Sequence, residues 1–342
     1  MNFPVDTITL FKSLISRSKK VLVTTHYNPD GDAVGASLAL YHFLVKFGHQ
    51  VDLIIPNDLP SFLKWMPGSE KLLIYNDNPE TCNEIIHNAE VIFCLDFNAL
   101  SRVRYYSDEL SKATGFKVLI DHHLQPSDEF DLSLSEIKVS STSELVYQLV
   151  SELSYEHLID KPIAECLVVG IMTDTGSFSY SCDTPETFRI MASLIEKGAG
   201  VERIHRLVYD TYSESRMRLL GHCLSRRLKV IHELNTAYIW LSKDDLTEFN
   251  YQPGDTEGVV NYALSIENVS LAALFTERDD RIRISLRSKG NFSVNEFARL
   301  HFNGGGHRNA AGADSFVSLK ETLDLFENII AGYREQLNNN SF

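Results

Sequence analysis

Three side chains able to bind a cation stand within seven positions of the stretch "THYNPDGDAVGA" (25–36): His26, Asp30 and Asp32. Carboxylates this close repel one another unless a cation or a hydrogen-bond network neutralises them. "PDG" is turn chemistry, with Pro fixing φ and Gly permitting φ > 0, so these residues belong to a loop after the apolar run "VLVTT". Asp96 closes "AEVIFCLD" (89–96), His122 sits in "DHH" at the end of "FKVLIDHH" (116–123), and Asp174 lies in "GIMTDTGSF". Taken together, His26, Asp30, Asp32, Asp96, His122 and Asp174 bring four carboxylates, whose charge two divalent cations would balance. Mixed carboxylate and imidazole donors suit Mn²⁺; Mg²⁺, which prefers oxygen and water, is the alternative. Two such ions about 3.5–4 Å apart can clamp the attacking and leaving oxygens of a phosphoryl displacement.

Elements must bring these distant residues together. Segments 19–26, 49–56, 89–96 and 116–123 are short, β-branched apolar runs, the pattern of strands buried on both faces. Between some of them lie helical patterns. "AVGASLALYHFLVKFG" (33–48) stops at Gly48, a C-cap residue. "SSTSELVYQLVSEL" (140–153) opens on Ser141 with Glu144 three residues on, a capping box. Alternating strand and helix predicts an α/β fold with a mainly parallel sheet flanked by helices. Three of the four strand runs end in ligand types: His26, Asp96 and Asp121-His122-His123. In open α/β sheets the carboxyl ends of the strands form the ligand crevice.

The composition changes after about residue 185. The expected organisation is a large α/β domain over 1–190, a helical connector over 191–228 and a smaller α/β domain over 229–342. With 342 residues, 44% hydrophobic and 23% charged, the chain has the composition of a globular protein. Its five cysteines include no CxxC pair, which favours buried, reduced thiols. A net charge of −14 argues against a coat for long nucleic acid, yet permits a small phosphorylated substrate at a local basic site. No signal peptide or membrane-length apolar run is evident, so the expected location is cytoplasmic, away from a membrane.

"HYNPDGDAVG", the Asp in "VIFCLDFNA", "DHH" at 121–123 and "TDTGSF" resemble, in order, the four motifs of the DHH phosphoesterases. "FNGGGHRNAAGAD" (302–314) resembles the glycine-rich signature of the DHH-associated C-terminal domain. Within that family the pattern is most similar to the NrnA-type subfamily. The resemblance implies hydrolysis of very short oligoribonucleotides to 5′-mononucleotides and of pAp (adenosine 3′,5′-bisphosphate) to AMP and phosphate. By the same resemblance His26 and Asp30 would hold one cation, Asp32, His122 and Asp174 the other, and Asp96 would bridge them. Asp121 would orient a neighbouring ligand, and His123 would contact the substrate phosphate or the leaving oxygen.

The remaining candidates would bind substrate. Gly305 and Gly306 in "NGGGH" allow a nest of backbone N–H groups for an anion, with His307 as a further donor and Asn309 beside it. In "RIRISLRSKG" the basic residues fall at odd positions of a strand-like run, so Arg281, Arg283, Arg287 and Lys289 project to one face. Arg283 and Arg287 are the phosphate candidates, and Arg102 is a third. The active-site cleft is expected between the two domains. Related readings stay open: a cyclic- or linear-dinucleotide phosphodiesterase, a RecJ-like single-strand exonuclease, or, from a different class, a catalytically dead nucleotide-binding protein. A homodimer is also open.

Overall fold

The computed structural model describes residues 3–17 and 19–339. The chain divides into two units between Thr211 and Tyr212. In the first, six strands form one sheet: β1 (Lys20–Thr25), β2 (Gln50–Ile55), β3 (Leu72–Ile74), β4 (Val91–Leu95), β5 (Phe116–Asp121) and β6 (Leu132–Ser135). Their order is β3-β2-β1-β4-β5-β6, and every pairing is parallel. The four apolar runs became β1, β2, β4 and β5. The edge strands β3 and β6 were not foreseen, because each is three or four residues long and mostly half-exposed.

Among the described residues this unit has eight α-helices: α1 (Val5–Ile15), α2 (Gly31–Val45), α3 (Pro79–Asn88), α4 (Ser107–Lys112), α5 (Thr142–Glu152), α6 (Lys161–Asp174), α7 (Pro185–Glu196) and α8 (Val201–Tyr209). Alternation along the strands sorts the side chains into two layers. Val21, Val23, Val91, Phe93, Val118 and Ile120 share one core with residues of α2, α5 and α6. Leu22, Ile54, Ile92, Cys94 and Leu119 share the other with Cys82 and Ile86 of α3 and Leu110 of α4. Burial on both faces explains why these strands read as continuous apolar runs.

The second unit begins with α9 (Glu214–Arg226). Its sheet contains β7 (Leu228–Ile231), β8 (Thr236–Leu241), β9 (Leu271–Glu277), β10 (Ile282–Ser288), β11 (Asn303–Gly306) and β12 (Ala310–Ser315). The order is β11-β12-β10-β9-β8-β7, parallel only between β8 and β9. Helices α10 (Lys243–Glu248), α11 (Val259–Leu264), α12 (Val294–His301), α13 (Leu319–Ala331) and α14 (Arg334–Asn338) complete it. The expected connector at 191–228 is therefore shared. Met191 and Leu194 of α7 and Ile204 and Val208 of α8 are buried in the first unit's core, while Leu219 and Cys223 of α9 are buried in the second's. All five cysteines are buried and unbridged. Among the described residues no helix is long and apolar enough to cross a membrane.

Candidate active site

The order of the strands reverses beside β1, whose two neighbours are β2 and β4. Crevices form at such switch points, beyond the carboxyl ends of the strands. His26 directly follows β1, Asp96 directly follows β4, and Asp121 is the last residue of β5. The chain then enters α2 earlier than its apolar pattern suggests, at Gly31. Asp30 is its N-cap, with Oδ1 accepting from the Asp32 and Ala33 amides at 3.0 and 3.1 Å. "PDGD" is thus a helix start as well as a turn. Asp174 closes the buried α6. Asp96 has φ of 63°, a left-handed conformation uncommon outside glycine, although Asp tolerates it better than most.

Two donor sets result, each with its ligand atoms within 4.8 Å of one another: His26, Asp30 and Asp96; and Asp32, His122 and Asp174. Asp96 faces both. Its Oδ2 lies 3.5 Å from His26 Nε2, and its Oδ1 lies 3.5 Å from His122 Nε2. His122 Nε2 also lies 3.3 Å from Asp174 and 3.8 Å from Asp32, and His26 Nε2 lies 3.9 Å from Asp30. Asp96, Asp121 and His123 form a third cluster. There His123 Nδ1 is 2.7 Å from Asp121 Oδ1. The other oxygen, Asp121 Oδ2, is buried without a hydrogen-bond partner.

The donor chemistry fits a cation pair. His26 Nδ1 lies 3.0 Å from the Tyr27 carbonyl, which only accepts, so Nδ1 carries a hydrogen. In the neutral ring Nε2 is then a lone pair converging with carboxylate oxygens, an arrangement that needs a positive charge. Titration reflects the same crowding. Burial, reinforced by the Asp96 and Asp174 charges, drives Asp32 well above the ordinary carboxylate range. Burial likewise pushes Asp174 up to about 6, against the pull of His122. Burial alone would lower His122, but Asp174, Asp96 and Asp32 hold it well above its usual value. His26 is raised too, because Asp96 and Asp30 outweigh its burial and the opposing charge of Arg102. Burial also opposes ionisation of Asp96, yet the surrounding imidazoles win and hold it well below the usual range.

One part of the site was not legible. Residues 140–144, read only as a helix start, hold two of the candidate ligands. Asp32 accepts from the Thr142 and Ser143 amides at 2.6 and 2.9 Å, and the Thr142 hydroxyl donates to Asp96 Oδ1 at 2.8 Å. Ser141 caps α5 as expected, accepting from the Glu144 amide at 3.0 Å. The Glu144 carboxylate, however, reaches past the N-cap to the Ser140 amide and hydroxyl, so the reciprocal half of the capping box is displaced by one residue. It accepts also from Thr187 of α7 and Gln148. Gly170 of α6 makes room: a Cβ there would strike the Ser143 hydroxyl and come within 2.6 Å of Asp32 Oδ1. The available signal was four consecutive hydroxyl residues, more than one cap requires.

Arg102 is exposed on a short 3-10 turn (Leu100–Val103), whose Arg102 carbonyl accepts from the Tyr27 amide at 2.9 Å. That bond joins the turn to the His26 loop. In the second unit β10 alternates as expected, with Ile282, Ile284 and Leu286 buried and Arg283, Ser285 and Arg287 on the other face. Arg281 pairs with Asp280 and Asp314, at 3.2 and 3.4 Å. Opposite Ser285 stands exposed Gly312, with open space where a Cβ would be. The glycine run is not a loop but strand β11, paired with β12. Gly306, at φ of 151°, gives its N–H to Asn295 Oδ1 at 3.0 Å, which removes that group from the expected anion nest. His307 begins the turn to β12, and the Asn309 amide ties that turn to Ser288 and Gly290 at 2.9 and 3.1 Å.

A parallel sheet with acids and imidazoles gathered at its switch point, followed by a second mixed sheet, is the architecture of a phosphoesterase family. Residues 20–171 match the DHH family N-terminal domain and residues 234–332 the DHHA1 domain, and the chain belongs to the DHH family. It is 30% identical over 321 residues to the bifunctional oligoribonuclease and PAP phosphatase NrnA of Thermus thermophilus, covering 93% of this chain and 90% of that one. An exopolyphosphatase-related protein from Bacteroides fragilis superposes with a TM-score of 0.93 at 43% identity, covering 98% of each chain. RecJ from Thermus thermophilus, in complex with Mn²⁺, shares the fold at a TM-score of 0.56 and 13% identity, covering 97% of this chain and 54% of RecJ.

Proposed function

We propose that this protein hydrolyses very short oligoribonucleotides to 5′-mononucleotides and pAp to AMP and phosphate, using two divalent cations, in the first place Mn²⁺. The observation that carries the reading is the division of the other five donors into two sets on either side of Asp96. His26 and Asp30 would hold one ion, Asp32, His122 and Asp174 the other, with one Asp96 oxygen for each. Bound there, the ions would supply positive charge to the phosphate oxygens and lower the pKa of water. The name of the Thermus thermophilus relative, which pairs an oligoribonuclease with a PAP phosphatase, supports this choice of substrates.

The balance of the reaction is simple. A water oxygen bonds to phosphorus, the P–O3′ bond breaks, and the 3′ oxygen takes a proton. On pAp this releases phosphate and leaves AMP; on pApA it gives two molecules of AMP. Asp121 accepts the Nδ1–H of His123 and fixes the ring, so Nε2 is the atom that meets the phosphate or hands a proton to the departing oxygen. Arg283 and Arg287, each two residues from Ser285, share one face of β10 and would grip a second phosphate in bidentate fashion. His307 would add a donor, Gly305 and Gly306 would let a phosphate approach the backbone closely, and Asn309 would hold the turn that presents them. Arg102 would act beside the His26 loop.

The test is a side-by-side turnover assay of pAp, pApA, a five-nucleotide RNA and cyclic di-AMP with Mn²⁺. Turnover of pAp and pApA above the other two is expected. Preference for cyclic di-AMP would replace the proposed substrates while keeping the chemistry, and no turnover of any would end the reading.

A further inference from the structure

Proteins that hold a cation pair with one shared carboxylate face a particular difficulty. The shared group must aim its two oxygens at two different ions, and free rotation about its Cβ–Cγ bond does not hold that aim. Here Asp96 Oδ2 faces His26 and Oδ1 faces His122, although both imidazoles compete for the same side chain. The Asp96 backbone, in its left-handed conformation, sets where the side chain starts but not the rotation of its carboxylate. From outside the two donor sets the Thr142 hydroxyl donates to Oδ1 at 2.8 Å, while His123 Nδ1 lies farther from the same oxygen, at 3.8 Å. The amide of the same Thr142 donates at 2.6 Å to Asp32 Oδ2. A single buried residue thus touches the shared carboxylate with its side chain and a carboxylate of the second donor set with its backbone.

We propose that Thr142 is a positioning residue that sets the Asp96 carboxylate to bridge two cations, and that the start of α5 is the rack holding both acids in register. The inference rests on the two-cation reading above. The rack is itself fixed. Glu144 is buried, and its oxygens take donors from Ser140, Gln148 and Thr187. It thereby ties the residue before the N-cap to α7, two residues from Thr142. Gly170 of α6 closes the third side, because any side chain there would displace Ser143 and Asp32. Helices α5, α6 and α7 therefore converge on the spacing between Asp32 and Asp96. A hydroxyl at 142 serves this purpose twice. It donates to an anion, and its own removal leaves the backbone bond to Asp32 in place, so the two acids can be uncoupled by one substitution.

The experiment compares the wild type with Thr142→Val, of nearly the same shape, and Thr142→Ser, which keeps the hydroxyl. Mn²⁺ is titrated by calorimetry, and the Mn²⁺ pair is followed by electron paramagnetic resonance, where two ions sharing a carboxylate give an exchange-coupled spectrum. Outer-shell partners of metal ligands are typically worth about 10–100-fold in affinity. Thr142→Val should therefore weaken the second Mn²⁺ at least about tenfold and diminish the coupled spectrum at matched occupancy, while Thr142→Ser restores both. Wild-type affinity and an unchanged coupled spectrum in folded Thr142→Val would overturn the assignment, as would failure of the serine variant to restore either. If Thr142→Val does not fold, Thr142→Ala carries the same comparison. A wild type that binds no Mn²⁺ pair would sink the two-cation reading itself, and so separates that failure from this one.

Discussion

Asp96 is the residue on which most of the site turns. It follows β4, adopts a strained backbone angle, and stands 3.5 Å from an imidazole on each side. Asp96→Asn keeps the size and removes the charge, so it should lower pApA turnover by more than about a hundredfold, beyond the loss typical of an outer-shell partner. Steady-state rates with unchanged circular dichroism would check it; near-normal turnover would remove Asp96 from its bridging place. The pH dependence follows from the same crowding. In the metal-free protein Asp174 is raised to about 6 and His122 lies well above its usual value. Groups that hold protons more tightly folded than unfolded stabilise the fold at low pH. That contribution is lost as pH rises through about 6 for Asp174 and then through the raised value of His122. Cations need the deprotonated forms, so Mn²⁺ should raise Tm more at pH 8 than at pH 5.5. Equal shifts at both pH values would contradict the cluster as the binding place.

At the scale of elements, the convergence of the candidate ligands was legible because strand ends carry them. Apolar runs stopping at His26, Asp96 and Asp121, plus turn chemistry in "PDGD", needed no knowledge of distant contacts. What α5 does was not legible for the opposite reason. Thr142 meets residues 46 and 110 positions away, and a hydroxyl before an apolar helix looks like a cap from sequence alone. The helix α6 was hidden differently: it is buried on nearly all sides, so its pattern lacks an amphipathic period. The glycine run misled in the other direction. Glycine disfavours strands, yet Asn303–Gly306 pairs with β12 as a strand, and glycine is required there because Gly306 adopts a φ unsuited to side chains and a Cβ would come within 2.6 Å of the Ala310 carbonyl. A prediction belongs to α6. Gly170→Ala forces a methyl against Ser143 and Asp32, and overpacking of this kind costs about 1–3 kcal/mol. Denaturant unfolding should show that loss, with weaker Mn²⁺ binding; unaltered stability and binding would mean the contact relaxes freely.

Across the molecule as a whole, the candidate groups divide between two units. The first, through Thr211, contains both donor sets; the second contains the basic face of β10 and the turn at His307. Substitutions should therefore sort by unit. Arg283→Ala with Arg287→Ala should raise KM for pAp about tenfold or more, the worth of a lost charged hydrogen bond, and leave Mn²⁺ affinity as it was. A fall in Mn²⁺ affinity with unchanged KM would place these arginines elsewhere in the account. The net charge of −14 is consistent with this economy, because a substrate of two or three phosphates needs only a local basic face. The most direct measurement is anomalous scattering from crystals soaked in Mn²⁺. Two peaks are predicted, one among His26, Asp30 and Asp96, the other among Asp32, His122, Asp174 and the second oxygen of Asp96. A single peak, or none at these side chains, would contradict the account.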